Sequence, residues 1–169
     1  TPDDTTPPVI PDTENPPVPE IFSGTGNSSI SVTTSQTVTI SVSMDARGMQ
    51  NTPGDWWLIH VTPENTIFSL TSDLRWQETL TPALSIPLVS FQQIPIFSNT
   101  LTPPGEHVFY FAVDNKADGL LENPIWFDAL TVQVTEPAPV VPGDDTGRLM
   151  PGHLNYQGAF QLPDDFNWG

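Results

Sequence analysis

Asp114, Asp118 and Glu122 are the residues whose spacing comes nearest to chemistry. With Gly119 between them they set oxygen ligands around a sharp turn, the pattern of the first two-thirds of a calcium loop. Asp128, on the strand that follows, could add a remote fourth carboxylate. Lys116 stands where an oxygen ligand belongs, and Ile125 where the closing bidentate Glu should be. The competing reading is an Asp/Asn/Gly turn between two strands, its carboxylates bonded to nearby backbone. Calcium is thus the one cofactor the chain suggests, and nothing in it requires a cofactor.

Other chemistries find less. His60, His107 and His153 are scattered; the first two fall in strand patterns and read as surface or edge residues. No Ser-His-Asp set can be argued from spacing, because triads are recognised by geometry. No pair stands out among the 20 acidic residues, there is no phosphate loop, and the absence of Cys removes thiolate chemistry and disulfides. The chain does not read as an enzyme. Asn27-Ser28-Ser29 makes Asn27 a glycosylation candidate.

Twenty acidic residues against four basic ones give a net charge of -16. That excludes a basic footprint for nucleic acid and disfavours anionic membrane surfaces. An acidic polymer repels itself at low salt, so assembly would need strong local contacts, salt or divalent cations. No apolar run reaches membrane-spanning length. The start at Thr1 without Met fits removal of a signal peptide. Low Lys, abundant Thr, Ser and Asn, and Pro-rich arms fit a secreted, extracellular or cell-surface protein.

The elements that would carry these residues are strands. Twelve of the twenty Pro fall in residues 1–26 and 136–169, and residues 1–26 read as an extended arm, with Ile21 and Phe22 as anchors on a neighbour. Within 27–135, Ile30 and Val32 alternate with Ser and Thr, and so do Val38, Ile40 and Val42. Trp56–Val61 is bulky on both faces, and Thr66–Leu70 is short. Leu84–Val89 and Phe91–Phe97 carry Pro87 and Pro95 and suit edge or bulged strands. His107–Val113 is apolar at most positions, and Leu130, Val132 and Val134 alternate in the closing strand. No useful helical period appears. The pattern predicts an all-β protein, an antiparallel immunoglobulin-like β-sandwich of about seven or eight strands with extended N- and C-terminal arms. Trp56, Trp57, Phe109, Phe111, Trp126 and Phe127 are its candidate core aromatics.

The runs DWWLIHVTP at 55–63, LTPPGEHVFYFAVDNKADGLLE at 101–122 and IWFDALTVQV at 125–134 carry a resemblance. Together they resemble an immunoglobulin-like β-sandwich domain of unassigned role found in secreted bacterial proteins. The likeness covers about residues 27–135. It implies that fold and a place outside the cell, and no chemistry, because fold does not carry function.

The last patterned stretch lies beyond a Pro/Gly/Asp spacer at 136–152. In 153–169, Leu154, Tyr156, Gly158, Phe160 and Leu162 share one parity, while His153, Asn155, Gln157, Ala159 and Gln161 take the other. Period two marks a strand with one buried face. Extended at roughly 3.3 Å per residue, Thr135 to Gly152 could span about 60 Å and reach another subunit. Inserting four large side chains there removes on the order of 400 Å² from water, about 10 kcal/mol before ordering costs. Phe166 and Trp168 could add a last anchor.

These features predict a structural subunit of an extracellular filament. It would polymerise head-to-tail with copies of itself by donating this C-terminal strand, and the acceptor is expected at the weak, Pro-broken strands of 84–97. The alternative is a carbohydrate-binding or adhesive module in which Trp56, Trp76 or Trp126 stacks on sugars.

Overall fold

The computed structural model describes residues 14–24 and 28–139. Two units divide the chain, Thr1–Pro137 and Ala138–Gly169, and the described residues of the first form ten strands. These are β1 (Val18–Phe22), β2 (Ser29–Thr33), β3 (Val38–Asp45), β4 (Asp55–Val61) and β5 (Ile67–Leu70). They continue as β6 (Trp76–Gln77), β7 (Leu84–Ser85), β8 (Phe91–Asn99), β9 (Gly105–Asp114) and β10 (Ile125–Thr135). One 3-10 turn, Arg47–Met49, is the only helical element among the described residues.

The strands make a β-sandwich. The first sheet has the order β1-β3-β8, and the second β2-β10-β9-β4-β5-β6, with β7 also on β4. Every pairing is antiparallel except β2 with β10. Alternation decides the inner faces. From the first sheet Val38, Ile40, Val42 and Met44 point inward. From the second come Trp56 and Leu58, Phe109, Phe111 and Val113, and Leu130, Val132 and Val134. Of the aromatics expected in the core, Trp56, Trp57, Phe109 and Phe111 are buried. Trp126 is half-buried against the core, and Phe127 lies on the outer face, 63% exposed, because its parity is opposite to that of Leu130.

The sandwich starts at Val18, earlier than the turn cluster before residue 27 suggests. Ile21 and Phe22, expected to grip a neighbour, belong to β1; Ile21 is fully buried in its own core and Phe22 is half-buried. Pro19 is tolerated there because β1 is an edge strand. The Ile21 amide points away from β3 and donates to Asp128 Oδ2 at 2.9 Å, across to β10 of the other sheet. Asp128 therefore ties the sheets together on this side of the sandwich.

The opposite edge of the first sheet is β8, which among the described residues pairs only with β3. Its register slips twice, between Ile40 and Ser41 and between Val42 and Met44 of the partner strand. The expectation that this Pro-containing segment forms an edge or bulged strand matches the observed pairing. The Leu84–Val89 run, by contrast, contributes only the two residues of β7.

Gly54, just before β4, sits where backbone approaches backbone. A Cβ there would lie 2.5 Å from the Asp114 carbonyl oxygen and 2.7 Å from Leu88 Cδ2. Gly54→Ala should cost about 1–3 kcal/mol of stability through overpacking, measured by urea denaturation; an unchanged midpoint would contradict this packing.

Candidate functional site

Among the described residues the sandwich is open between β8 and the second sheet. The inward residues of β4, Trp56, Leu58 and His60, run along the opening, followed by Thr62 just past the strand, and divide it into two adjoining halves. The first is a groove of about 510 Å³. Phe91, Ile94 and Ile96 of β8 face Leu70, Leu74 and Leu84 across it, with Phe111 also in its lining. Thr71 and Ser72 are the polar residues of this lining, and no charge enters it. Leu74, Leu84, Ile86, Val89 and Ile94 all line it and are all exposed, Leu74 at 80% and Ile94 at 48%. Exposed apolar side chains beside an unpaired strand edge are the kind of surface that a contact would cover.

The second half, about 430 Å³, is aromatic and polar. His60, Phe68, Trp76 and Phe97 line it together with Thr62, Glu64, Thr66, Asn99 and Thr102. His60 lies flat on Phe109 at 4.1 Å between ring centroids, and Trp76 stands nearly perpendicular to both rings, 6.0 Å from each.

His60 and His107, read from sequence as separate surface or edge residues, are a bonded pair. His60 Nε2 and His107 Nδ1 lie 2.9 Å apart, and His107 Nε2 lies 2.9 Å from the Pro103 carbonyl. A carbonyl only accepts, so His107 Nε2 carries hydrogen. With His107 neutral, its Nδ1 then accepts from His60 Nε2–H. His60 Nδ1 is left as a bare acceptor. It has no partner among the described residues, and no buried side-chain nitrogen or oxygen among them is unsatisfied, so it reaches the open groove. Burial, and secondarily His107 beside it, push the His60 pKa from 6.5 down to about 4.

The calcium-like residues do not converge. Asp114 Oδ1 accepts from the amides of Asp55 and Lys116, and its Oδ2 from Trp57 Nε1, each at 3.1 Å. Burial raises the Asp114 pKa against those bonds. Asp118 Oδ1 accepts from the Leu120 amide, Glu122 pairs with the Lys116 ammonium, and Asp128 holds β1. Among the described residues no group of three or more His, Cys, Asp or Glu could hold a metal ion. The loop is organised instead by Asp55, whose role the sequence left unread. Its Oδ2 accepts from the amides of Asp118 and Gly119, at 3.2 and 2.6 Å, and its Oδ1 from Ser85. Gly119 takes φ +80° there, a conformation that suits glycine.

Leu154, Tyr156, Gly158, Phe160, Leu162, Phe166, Trp168 and Asn27 lie outside the described residues. Among the described residues no helix is long and apolar enough to cross a membrane. Comparison with known proteins gives no match to a family model, a curated protein or a solved structure.

Two measurements check this chemistry. Asp55→Asn keeps an oxygen for the two loop amides and can turn its NH2 to Ser85, so it should be near neutral, whereas Asp55→Ala orphans both amides and should cost about 2–3 kcal/mol in urea denaturation. Equal losses would contradict the assignment.

Between pH 6.5 and about 4 the unfolded chain protonates His60 while the folded one does not, so stability should fall as pH drops through that window. Asp114, raised in the fold, pulls the other way, so the readout is the difference from His60→Gln. That difference should be pH-dependent below 6.5, and a parallel pair of curves would refute it.

Proposed function

We propose that the protein is a structural subunit of an extracellular filament, an immunoglobulin-like sandwich rather than an enzyme. Residues 153–162 of one copy enter the open side of the next. The observation that carries this is the uncharged apolar groove along the free edge of β8, within the 84–97 segment expected to act as acceptor.

Three features support the match. The β8 edge is nine residues long, and Leu154 to Leu162 is nine positions. A strand beside β8 would use its free backbone groups and extend the narrow sheet, while side chains of one parity fill the groove. And 153–162 contains no acidic residue, although Asp144, Asp145, Asp164 and Asp165 flank it in a chain of charge -16. The donor can thus be buried without an unpaired charge. Donor and acceptor surfaces differ, so the contact is head-to-tail and propagates as an open fibre unless it closes into a ring.

The carbohydrate-binding alternative asks for exposed, coplanar tryptophans. Trp56 is buried with its Nε1 donating to the Ile86 carbonyl at 3.1 Å, and Trp76 and Trp126 are only half exposed. Glycan-array binding by a monomer would favour that alternative.

Deleting residues 151–169, or combining Tyr156→Asp with Phe160→Asp, should leave folded monomers by sedimentation and no fibres by negative-stain microscopy at micromolar concentration. On the acceptor side, Ile94→Asp is already half exposed and should fold, yet should stop assembly. Fibres from any of these variants would refute strand donation.

A further inference from the structure

The donor segment reads Leu-x-Tyr-x-Gly-x-Phe-x-Leu and is nearly the same in both directions. Size and apolarity therefore do not choose which way it lies along β8. One atom breaks the symmetry, the Tyr156 hydroxyl. The acceptor cleft is not symmetric either. Its Phe91–Ile96 half is apolar, and its Phe97–Asn99 half carries His60 and the polar residues.

Resting on the strand-donation reading, we infer that the donor strand lies antiparallel to β8, with Tyr156 opposite Phe97 and its hydroxyl donating to His60 Nδ1 of the accepting copy. In a nine-on-nine antiparallel register Leu162 falls opposite Phe91, Gly158 opposite Pro95 and Tyr156 opposite Phe97. Phe97 pairs with Ile40, a residue of the inner face, so position 97 points into the cleft. Leu162, opposite Phe91, whose partner Met44 is on the inner face, then enters the half lined by Leu58, Leu70 and Phe111. Gly158 meets β8 where its pairing is bulged and Pro95 offers no amide.

The parallel arrangement sets Phe160 opposite Phe97, beside His60, and moves Tyr156 away from it, opposite Gln93. It carries two losses: a phenol buried away from its best acceptor, and an imidazole nitrogen covered without a donor. The tautomer chain from the Pro103 carbonyl through His107 gives His60 its direction. Its groove-facing nitrogen can receive a hydroxyl proton but has none to offer.

The absence of Cys makes the direction readable by disulfide trapping in the full chain. Asn155→Cys with Ser98→Cys pairs residues that are opposite only in the antiparallel register. Asn155→Cys with Gln92→Cys does so only in the parallel one. Both β8 positions are exposed.

Under mild oxidation the first variant should give a ladder of covalent multimers on denaturing gels, and the second should not. A ladder from the second alone overturns the orientation and leaves strand donation standing. Fibres with neither ladder, a disulfide closed within one chain, or loss of assembly when residues 151–169 are retained unmodified would overturn the donation reading itself. Tyr156→Phe should raise the concentration needed for polymerisation about tenfold while Phe160→Leu, which removes no hydroxyl, leaves the trapping pattern unchanged. An unaltered threshold in Tyr156→Phe would remove the hydroxyl from the account.

Discussion

A sheet of three strands cannot cover a sheet of seven, and this mismatch sets most of what the domain is. Apolar faces seek closure, and the narrow sheet supplies it on one side only. There β1 leans over to β10, and the Asp128 carboxylate takes the one outward amide of β1 that would otherwise face the gap. On the other side β8 stops short. Trp56, Leu58 and Phe111 are shielded mainly by their own neighbours, and a row of half-exposed aliphatic side chains rims the opening. Among its described residues the sandwich has one sealed side and one unsealed side.

The second determinant is the carboxylate lattice at the start of β4. Pairing of β4 with β9 sets Trp56 opposite Val113, which brings Asp55 and Asp114 together although 59 positions separate them. Each carboxylate accepts several donors. Asp114 fixes Trp57 and the start of the β9–β10 loop, and Asp55 fixes the tip of that loop and β7 through Ser85. Two buried acids side by side repel, and their bonds to fixed amides and to an indole offset that cost. Of the residues that resemble the first two-thirds of a calcium loop, Asp114 is held by these bonds, while Asp118 accepts from the Leu120 amide and Glu122 pairs with Lys116.

Much of the sandwich was legible. Ile30 and Val32, the Val38–Met44 alternation, and Leu130, Val132 and Val134 all lie in strands with the inner face their parity dictates. The edge character of Phe91–Phe97 followed from Pro95. The misses have physical reasons. β1 hides in a Pro-rich arm because an edge strand can accept Pro19 and because its partner β3 holds it, a tertiary effect invisible locally. The two-residue strands β6 and β7 are too short for any period to register. His60 and His107 become partners only through the β4–β9 register, so no spacing in the chain announces them. Asp55 was visible only as the first letter of a tryptophan motif, while its loop amides lie more than sixty positions away.

The parallel pairing of β2 with β10 has a mechanical side. Ser29 through Thr33 lie beside Thr131 through Thr135 in the same direction. The start of one strand and the finish of the other are therefore at opposite ends of the ladder. A pull that separates those two ends acts along the strands, so the bonds of the ladder bear the load together instead of peeling apart one after another. Such shear loading resists rupture far better than unzipping, and it falls on the ladder that joins β2 to the last described strand of the sandwich.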